Sequence, residues 1–301
     1  MAEITASMVK ELRETTGVGM MDAKKALVEN NGDMEASVDW LRTKGLAKAA
    51  KKAGRAAAEG LVSVATNDAG TYGVAVELNS ETDFVSRNEK FQSLVDSITA
   101  KAKMGWDSVE ALADADLNGK SVRDTITEAI ATIGENMTLR RFESVSVKEG
   151  VVATYVHNAI SEGKGKIGVL VGLESSKPKA ELETLGKQVA MHIAAANPLF
   201  LNVASVDADA LERERTVLKE QAKEQGKPDD IAEKMVEGRI RKYYEETVLE
   251  EQIFVMDGET KISKLLGNDI KLTGFVRMVL GEGVEVEETD FAAEVAAAVN
   301  G

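Results

Sequence analysis

Gly73-Val74-Ala75-Val76-Glu77-Leu78-Asn79 runs almost directly into Thr82-Asp83-Phe84-Val85, and helical spacing begins near Asn88. The first stretch is short, Val-rich and bounded by turn residues, so it reads as a strand. The second offers a carboxylate and a large aromatic at the edge of a loop. That pairing suits a wedge: the aromatic fills a pocket on another protein while the adjacent acid contests its polar contacts. A helix-capping role for Thr82 or Asp83 competes with this reading.

Working outward, Leu61-Val62-Ser63-Val64-Ala65 reads as a partner strand, joined to Tyr72–Leu78 through the turn-rich Thr66-Asn67-Asp68-Ala69-Gly70. A helix carrying Phe91, Leu94, Val95, Ile98 and Ala102 follows, then a helix from Ser121 to Ile133 stopped by Gly134, then a strand from Leu139 to Val147. The pattern then recurs about 90 residues on. Gly150-Val151-Val152-Ala153-Thr154-Tyr155-Val156-His157 echoes the run from Gly60, Gly168–Glu174 echoes the run from Gly73, and a helix from Leu182 to Ala196 follows. A duplicated strand–strand–helix module explains this, and chance recurrence of a common hairpin is the alternative.

Residues 5–45 read as three short helices with stops at Gly17, Gly32 and Gly45, and with Asp33 as a cap. An Ala/Lys-rich helical linker, Leu46–Arg55, comes next. Residues 205–249 are highly charged, with a thin apolar stripe of Leu211, Leu218, Ile231, Met235 and Ile240 broken at Gly226-Lys227-Pro228. They read as an antiparallel helical hairpin that projects. A short helix near Ile262–Leu266, a strand Ile270–Leu280 and a last helix from Phe291 complete the chain. The fold class expected is α+β: an N-terminal three-helix bundle, a duplicated core with antiparallel sheets, a helical hairpin and a C-terminal helix. The division expected is 1–55 bundle and linker, 56–149 first core repeat, 150–204 with 250–281 second core repeat, 205–249 hairpin, and 282–301 C-terminal module.

The 301 residues allow two or three domains with cores of their own. No stretch approaches the roughly 20 apolar residues of a membrane helix, and no signal peptide is visible at the start. Cysteine is absent, which excludes disulfides and thiolate metal sites and fits a reducing compartment. Net charge is −14, whereas a direct nucleic-acid binder usually shows a basic face. Residues 1–55 hold ten Lys/Arg against eight Asp/Glu, and residues 279–301 hold six acids and no Lys/Arg. Simple solubility accounts for much of this asymmetry.

Sites of chemistry are not evident. Gly163-Lys164-Gly165-Lys166-Ile167-Gly168 matches a dinucleotide fingerprint by letter, but it leaves a loop and enters a strand, whereas that motif must leave a strand and open a helix. A flexible hairpin turn is expected instead. His157 and His192 lie in no metal-binding spacing; His192 sits among Val189, Ile193 and Ala196 as a packed core histidine, and His157 ends a strand at the surface. No serine sits in a Gly-x-Ser-x-Gly elbow. No catalytic, cofactor or metal residues are therefore assigned. A second Thr-Asp-Phe, at 289–291, reads as a helix start.

Several segments together resemble bacterial elongation factor Ts over the whole chain. They are Ala2–Ser7 with Val9–Arg13, Thr16–Leu27, Thr82-Asp83-Phe84-Val85, Ile133-Gly134-Glu135-Asn136, Ala190-Met191-His192-Ile193-Ala194-Ala195, Ile231–Gly238 and Thr273-Gly274-Phe275-Val276-Arg277. Ala23 stands where the family often has Cys, and Ser161–Lys166 lengthens the turn after His157.

The resemblance implies a guanine-nucleotide exchange factor for elongation factor Tu, without bond-making chemistry and without a cofactor of its own. It implies that Phe84 inserts between helices of that GTPase, that Asp83 helps dislodge groups holding the partner's Mg²⁺, and that Thr82 and Val85 complete the loop. Lys24, Ile133, Gly134, His157, Val255 and Met256 match further contact positions. The bundle, similar to a ubiquitin-associated fold, and the C-terminal helix would meet the GTPase domain, and the hairpin would serve self-association. A cytoplasmic setting follows, with neither nucleic acid nor membrane as a direct partner. Two rivals stay open: a peptide-binding adaptor, which would work through residues 1–55 alone, and an enzyme with an unrecognised site.

Overall fold

The computed structural model describes residues 4–16, 18–226 and 228–285. The chain divides into two units: Met1–Leu61 with Val76–Phe142 and Leu280–Gly301, and Val62–Ala75 with Glu143–Val279. Helices and antiparallel strands make it an α+β fold, as its periodicities lead one to expect.

In the first unit, α1 (Ala6–Thr16), α2 (Met20–Glu29) and α3 (Met34–Lys52) bury Val9, Leu12, Ala23, Ala26 and Leu27 together. Asp33 caps α3, its carboxylate accepting from the Ala36 N–H at 2.9 Å. Gly45 does not end this helix: α3 runs through it and takes in the Ala/Lys-rich segment. Its hydrogen serves packing instead, because a Cβ there would lie 3.1 Å from the Ala131 Cβ on α6 (Val122–Ile133). An interior glycine can allow close helix approach as readily as it can stop a helix.

The same unit holds α4 (Glu89–Ala102), α5 (Val109–Asp114) and α6. The inward face of α4 is Phe91, Leu94, Val95, Ile98 and Ala102, the residues its spacing selects. Ser108 and Ser121 cap α5 and α6. A fully buried carboxylate, Glu77, is held by the Arg140 and Arg141 guanidiniums and accepts the Gly281 N–H at 2.8 Å. Such a charge is tolerable only with partners of this kind.

Strands β1 (Glu59–Thr66), β2 (Tyr72–Ser80) and β3 (Met137–Ser146) run through the division between units, and β4 (Gly150–Ser161), β5 (Lys164–Glu174) and β6 (Lys271–Val279) belong to the second. The strand order is β3-β2-β1-β5-β4, with β6 also paired to β5. Gly60 and Gly150 lie at the starts of β1 and β4. Their φ values are 121° and 130°, and a Cβ would fall 2.3 Å from the Leu78 carbonyl and 2.0 Å from the Leu173 carbonyl. Only glycine fits at either position.

In the second unit, α7 (Lys179–Ala196) lays Leu182, Val189, Ala190 and Ile193 against Val151, Val169, Val171 and Leu173 of the sheet. Leu249, Phe254, Ile262 and Leu272 close this core, with α10 (Ile262–Leu266) at the predicted place. Before them, α8 (Ala208–Glu224) and α9 (Asp229–Thr247) pack through Leu218, Val236 and Ile240, with Leu211 and Tyr244 at the margin. Val236 is therefore an inner residue, whereas Ile231, expected on the apolar stripe, is exposed and Met235 is half-buried. The predicted helix from Phe291 and the second Thr-Asp-Phe lie outside the described residues.

Candidate functional site

β2 delivers its chain into a tight loop that exposes one aromatic. Val85 is buried and opens a single turn of 3-10 helix, Val85–Arg87, while Phe84 immediately before it is 82% exposed. The backbone closes on itself beneath the ring. The Asp83 carbonyl accepts from the Ser86 hydroxyl at 2.5 Å and N–H at 3.2 Å, and the Phe84 carbonyl accepts from the Arg87 N–H at 3.2 Å. The Gln92 amide donates to the Ser86 carbonyl at 3.0 Å. Neither Thr82 nor Asp83 caps α4. Asn88 does, accepting from the N–H groups of Lys90 and Phe91. The capping reading of this Thr-Asp-Phe is thereby set aside.

The loop is clamped from α6. Gly134 closes that helix in the left-handed conformation at φ 94°. That turn aims Glu135 at Thr82, whose N–H and hydroxyl donate to the two carboxylate oxygens at 2.9 and 2.7 Å. The next residue repeats the device: the Asn136 N–H donates to Glu81 at 2.6 Å, and its side-chain amide donates to the Arg55 carbonyl at 2.7 Å. The Lys52 ammonium donates to the Gly134 carbonyl. Ile133, Gly134 and Thr82–Val85 thus share one small region. Charge-assisted bonds of this kind are among the stronger fixings available to a surface loop.

Lys24 is exposed on α2, on the same helix as the exposed Met20 and Met21. Sequence reasoning singled out neither methionine, since a Met at a helix start is ambiguous between core and surface. Glu135 was equally hidden, because its partner lies 53 residues away.

The remaining candidates belong to the second unit. His157 does not end a strand: β4 continues to Ser161, with a bulge between Ala159 and Ser161, and His157 pairs opposite Ile167. Its ring is exposed, with Nδ1 3.1 Å from the Tyr155 hydroxyl. The lengthened segment after it is mostly strand, for β5 already begins at Lys164. Within the glycine-rich hexapeptide, a Cβ on Gly165 would lie 2.6 Å from Val156 Cγ1. That glycine is required by strand packing.

Val255 and Met256 are 49% and 56% exposed at the tip of a short loop. Phe254 roots that loop in the core, its N–H donating to the Thr260 carbonyl at 2.8 Å. Asp257 finishes it by accepting the N–H groups of Glu259 and Thr260, which lowers its pKa. His192 is fully buried beneath: Nε2 lies 2.9 Å from Gln252 Oε1, and Nδ1 accepts the Val255 N–H at 3.3 Å. Burial lowers the His192 pKa from the ordinary 6.5, and the Gln252 bond opposes this more weakly.

Among the described residues, no cluster of three His, Asp or Glu side chains could hold a metal ion, and no helix is long and apolar enough to cross a membrane.

Residues 81–282 match the family model described as Elongation factor TS. The chain is 59% identical to a protein named Elongation factor Ts from Rhodospirillum rubrum, over 99% of each chain. A namesake from Paramagnetospirillum magneticum is 61% identical over 99% of this chain and 97% of its own, and one from Rhizobium etli is 59% identical over the whole of both. The matched span contains the exposed Phe84 loop, its Glu135 clamp and the Val255–Met256 tip, and with near-complete coverage at this identity the chain belongs to the elongation factor Ts family.

Proposed function

We propose that the chain is a guanine-nucleotide exchange factor acting on elongation factor Tu in the cytoplasm, promoting GDP release during translation elongation. The observation that carries the reading is Phe84, a large aromatic 82% exposed on a loop whose backbone is tied down from two sides. Exposing such a ring wastes apolar burial unless a second surface covers it, and fixing the loop beforehand lowers the entropic cost of that docking.

The physics required is linkage. An exchanger breaks no bond and holds no nucleotide. It binds the empty GTPase more tightly than the loaded one, and the nucleotide's affinity falls by the same factor. In this reading Phe84 enters a pocket between partner helices, and the Asp83 carboxylate contests the groups around the partner's Mg²⁺. Loss of the ion removes much of the charge stabilising the bound phosphates. Thr82 and Val85 hold the loop from behind, while Lys24, Ile133 and Gly134 add contacts on the same unit. His157, Val255 and Met256 contribute a second contact area. The bundle 1–55, the core, the hairpin 205–249 and the C-terminal segment act as separate functional parts, with the hairpin available for self-association.

The test is the affinity of the chain for nucleotide-free and for GDP-loaded elongation factor Tu, measured by calorimetry. The reading requires the free form to bind more tightly by a large factor, and equal affinities would exclude exchange by linkage.

A further inference from the structure

We propose that His192 positions the Val255–Met256 loop from inside the core, so that a buried ring sets how well that exposed tip meets its partner. The inference rests on the exchange reading above and adds to it a residue that touches no partner itself.

The hydrogen-bond polarity of the network leads to it. The Gln252 side-chain nitrogen donates to the Glu246 carbonyl at 2.8 Å and to the Ala196 carbonyl at 3.4 Å. Both acceptors are backbone carbonyls, so the amide has one sensible orientation, and its oxygen faces His192 Nε2 at 2.9 Å. Nε2 must then carry the proton. Nδ1 is left bare, and it is the atom that receives the Val255 N–H. The ring works only as this one neutral tautomer. An imidazolium would set an N–H against the Val255 N–H.

One imidazole thus ties the end of α7 and, through Gln252, the end of α9 to the backbone of the loop. Phe254, between Gln252 and Val255, stacks obliquely on the same ring, with centroids 6.1 Å apart. The partners that the ring meets here, Gln252, Phe254 and the Val255 amide, carry no charge. Val255 and Met256 leave the core directly after this fixed point. Because the bond is to backbone, no side-chain choice at 255 or 256 can replace it.

Two substitutions in the full chain separate positioning from packing. Asparagine can offer an oxygen near the place of Nδ1, whereas glutamine reaches the place of Nε2 and leaves the Val255 N–H unpaired. His192→Gln is expected to weaken binding to nucleotide-free elongation factor Tu by about five- to tenfold, the worth of one hydrogen bond. His192→Asn should recover most of that loss. The His192→Gln effect should shrink sharply when Met256→Ala is already present, since both would act through one loop.

Hydrogen exchange at the Val255 amide supplies a reading that needs no partner. The amide should be protected in the wild-type chain, lose protection in His192→Gln, and lose it in the wild type as the ring takes a proton below pH 6.5. An unprotected Val255 amide in the wild type, undiminished protection in His192→Gln, or strict additivity with Met256→Ala would overturn the proposal. Failure of the wild-type chain to bind elongation factor Tu would instead overturn the exchange reading, and the amide data would still report whether the ring holds the loop.

Discussion

Replacing Phe84 by alanine separates a wedge from a core residue, because the chain carries its own control seven positions on. Phe91 is fully buried in α4 and Phe84 is 82% exposed. Truncating a buried Phe costs about 3–5 kcal/mol, from lost transfer energy and the cavity left behind. At Phe84 little of the ring is covered, and the loop beneath is held by backbone and by Ser86, Gln92 and Glu135, none of which needs the ring. Phe84→Ala should therefore change stability by no more than about 0.5 kcal/mol, as surface substitutions usually do. Its cost should appear on the partner. An aromatic hot spot is worth roughly 2–4 kcal/mol, which is on the order of 30- to 1,000-fold in catalysed GDP release if the ring acts at the displacement step. Stopped-flow release of fluorescent GDP from elongation factor Tu, run beside thermal melts of Phe84→Ala and Phe91→Ala, measures both. If Phe84→Ala melts as early as Phe91→Ala while release per folded molecule stays normal, the ring is structural and the wedge argument fails.

Three further outcomes are expected. Glu135→Ala removes both bonds to Thr82 and should slow GDP release roughly 5- to 30-fold, the kinetic equivalent of about 1–2 kcal/mol of lost loop fixing; release indistinguishable from wild type would show that the clamp has no bearing on exchange. Gly150→Ala would force a Cβ within 2.0 Å of the Leu173 carbonyl at φ 130°, so it should cost about 2 kcal/mol or more and lower the melting temperature by several degrees, and an unchanged melt would contradict the strand geometry. The isolated chain should show no saturable GDP binding in equilibrium dialysis, since its glycine-rich hexapeptide lies mostly within β5 rather than at a helix N-terminus; micromolar binding would refute that.

Much of the fold is readable because its periodicities are local. Val122, Ile126 and Ile130 recur at four-residue spacing and all face inward on α6. Gly60 and Gly150 both mark strand starts, and α10 falls where its apolar pair predicts. Failures arose where tertiary contact decides. Gly45 resembles a stop until Ala131 is seen against it. The hairpin buries Val236 and leaves Ile231 outside, a choice set by how α8 and α9 meet and not by either stripe alone. The short α5 has too few turns to show a period.

The candidate site divides in the same way. Phe84 stands out as an aromatic in a polar loop, and its exposure is as its neighbours suggest. The groups that hold it could not be read from sequence. Thr82 and Glu135 are 53 residues apart, and His192 meets the Val255 amide across 63. A carboxylate among 51 acids and a histidine on an apolar helix carry no visible sign of such partners.

The most direct test of the account is GDP release from elongation factor Tu at substoichiometric amounts of this chain. With excess unlabelled GTP present, catalytic quantities should discharge the whole population of bound fluorescent GDP. The rate should rise in proportion to the chain added and fall when Phe84 is replaced by alanine. Release that stays at its spontaneous rate, or that stops after one equivalent of GDP per chain, would contradict the claim that this protein exchanges nucleotide by binding the empty GTPase.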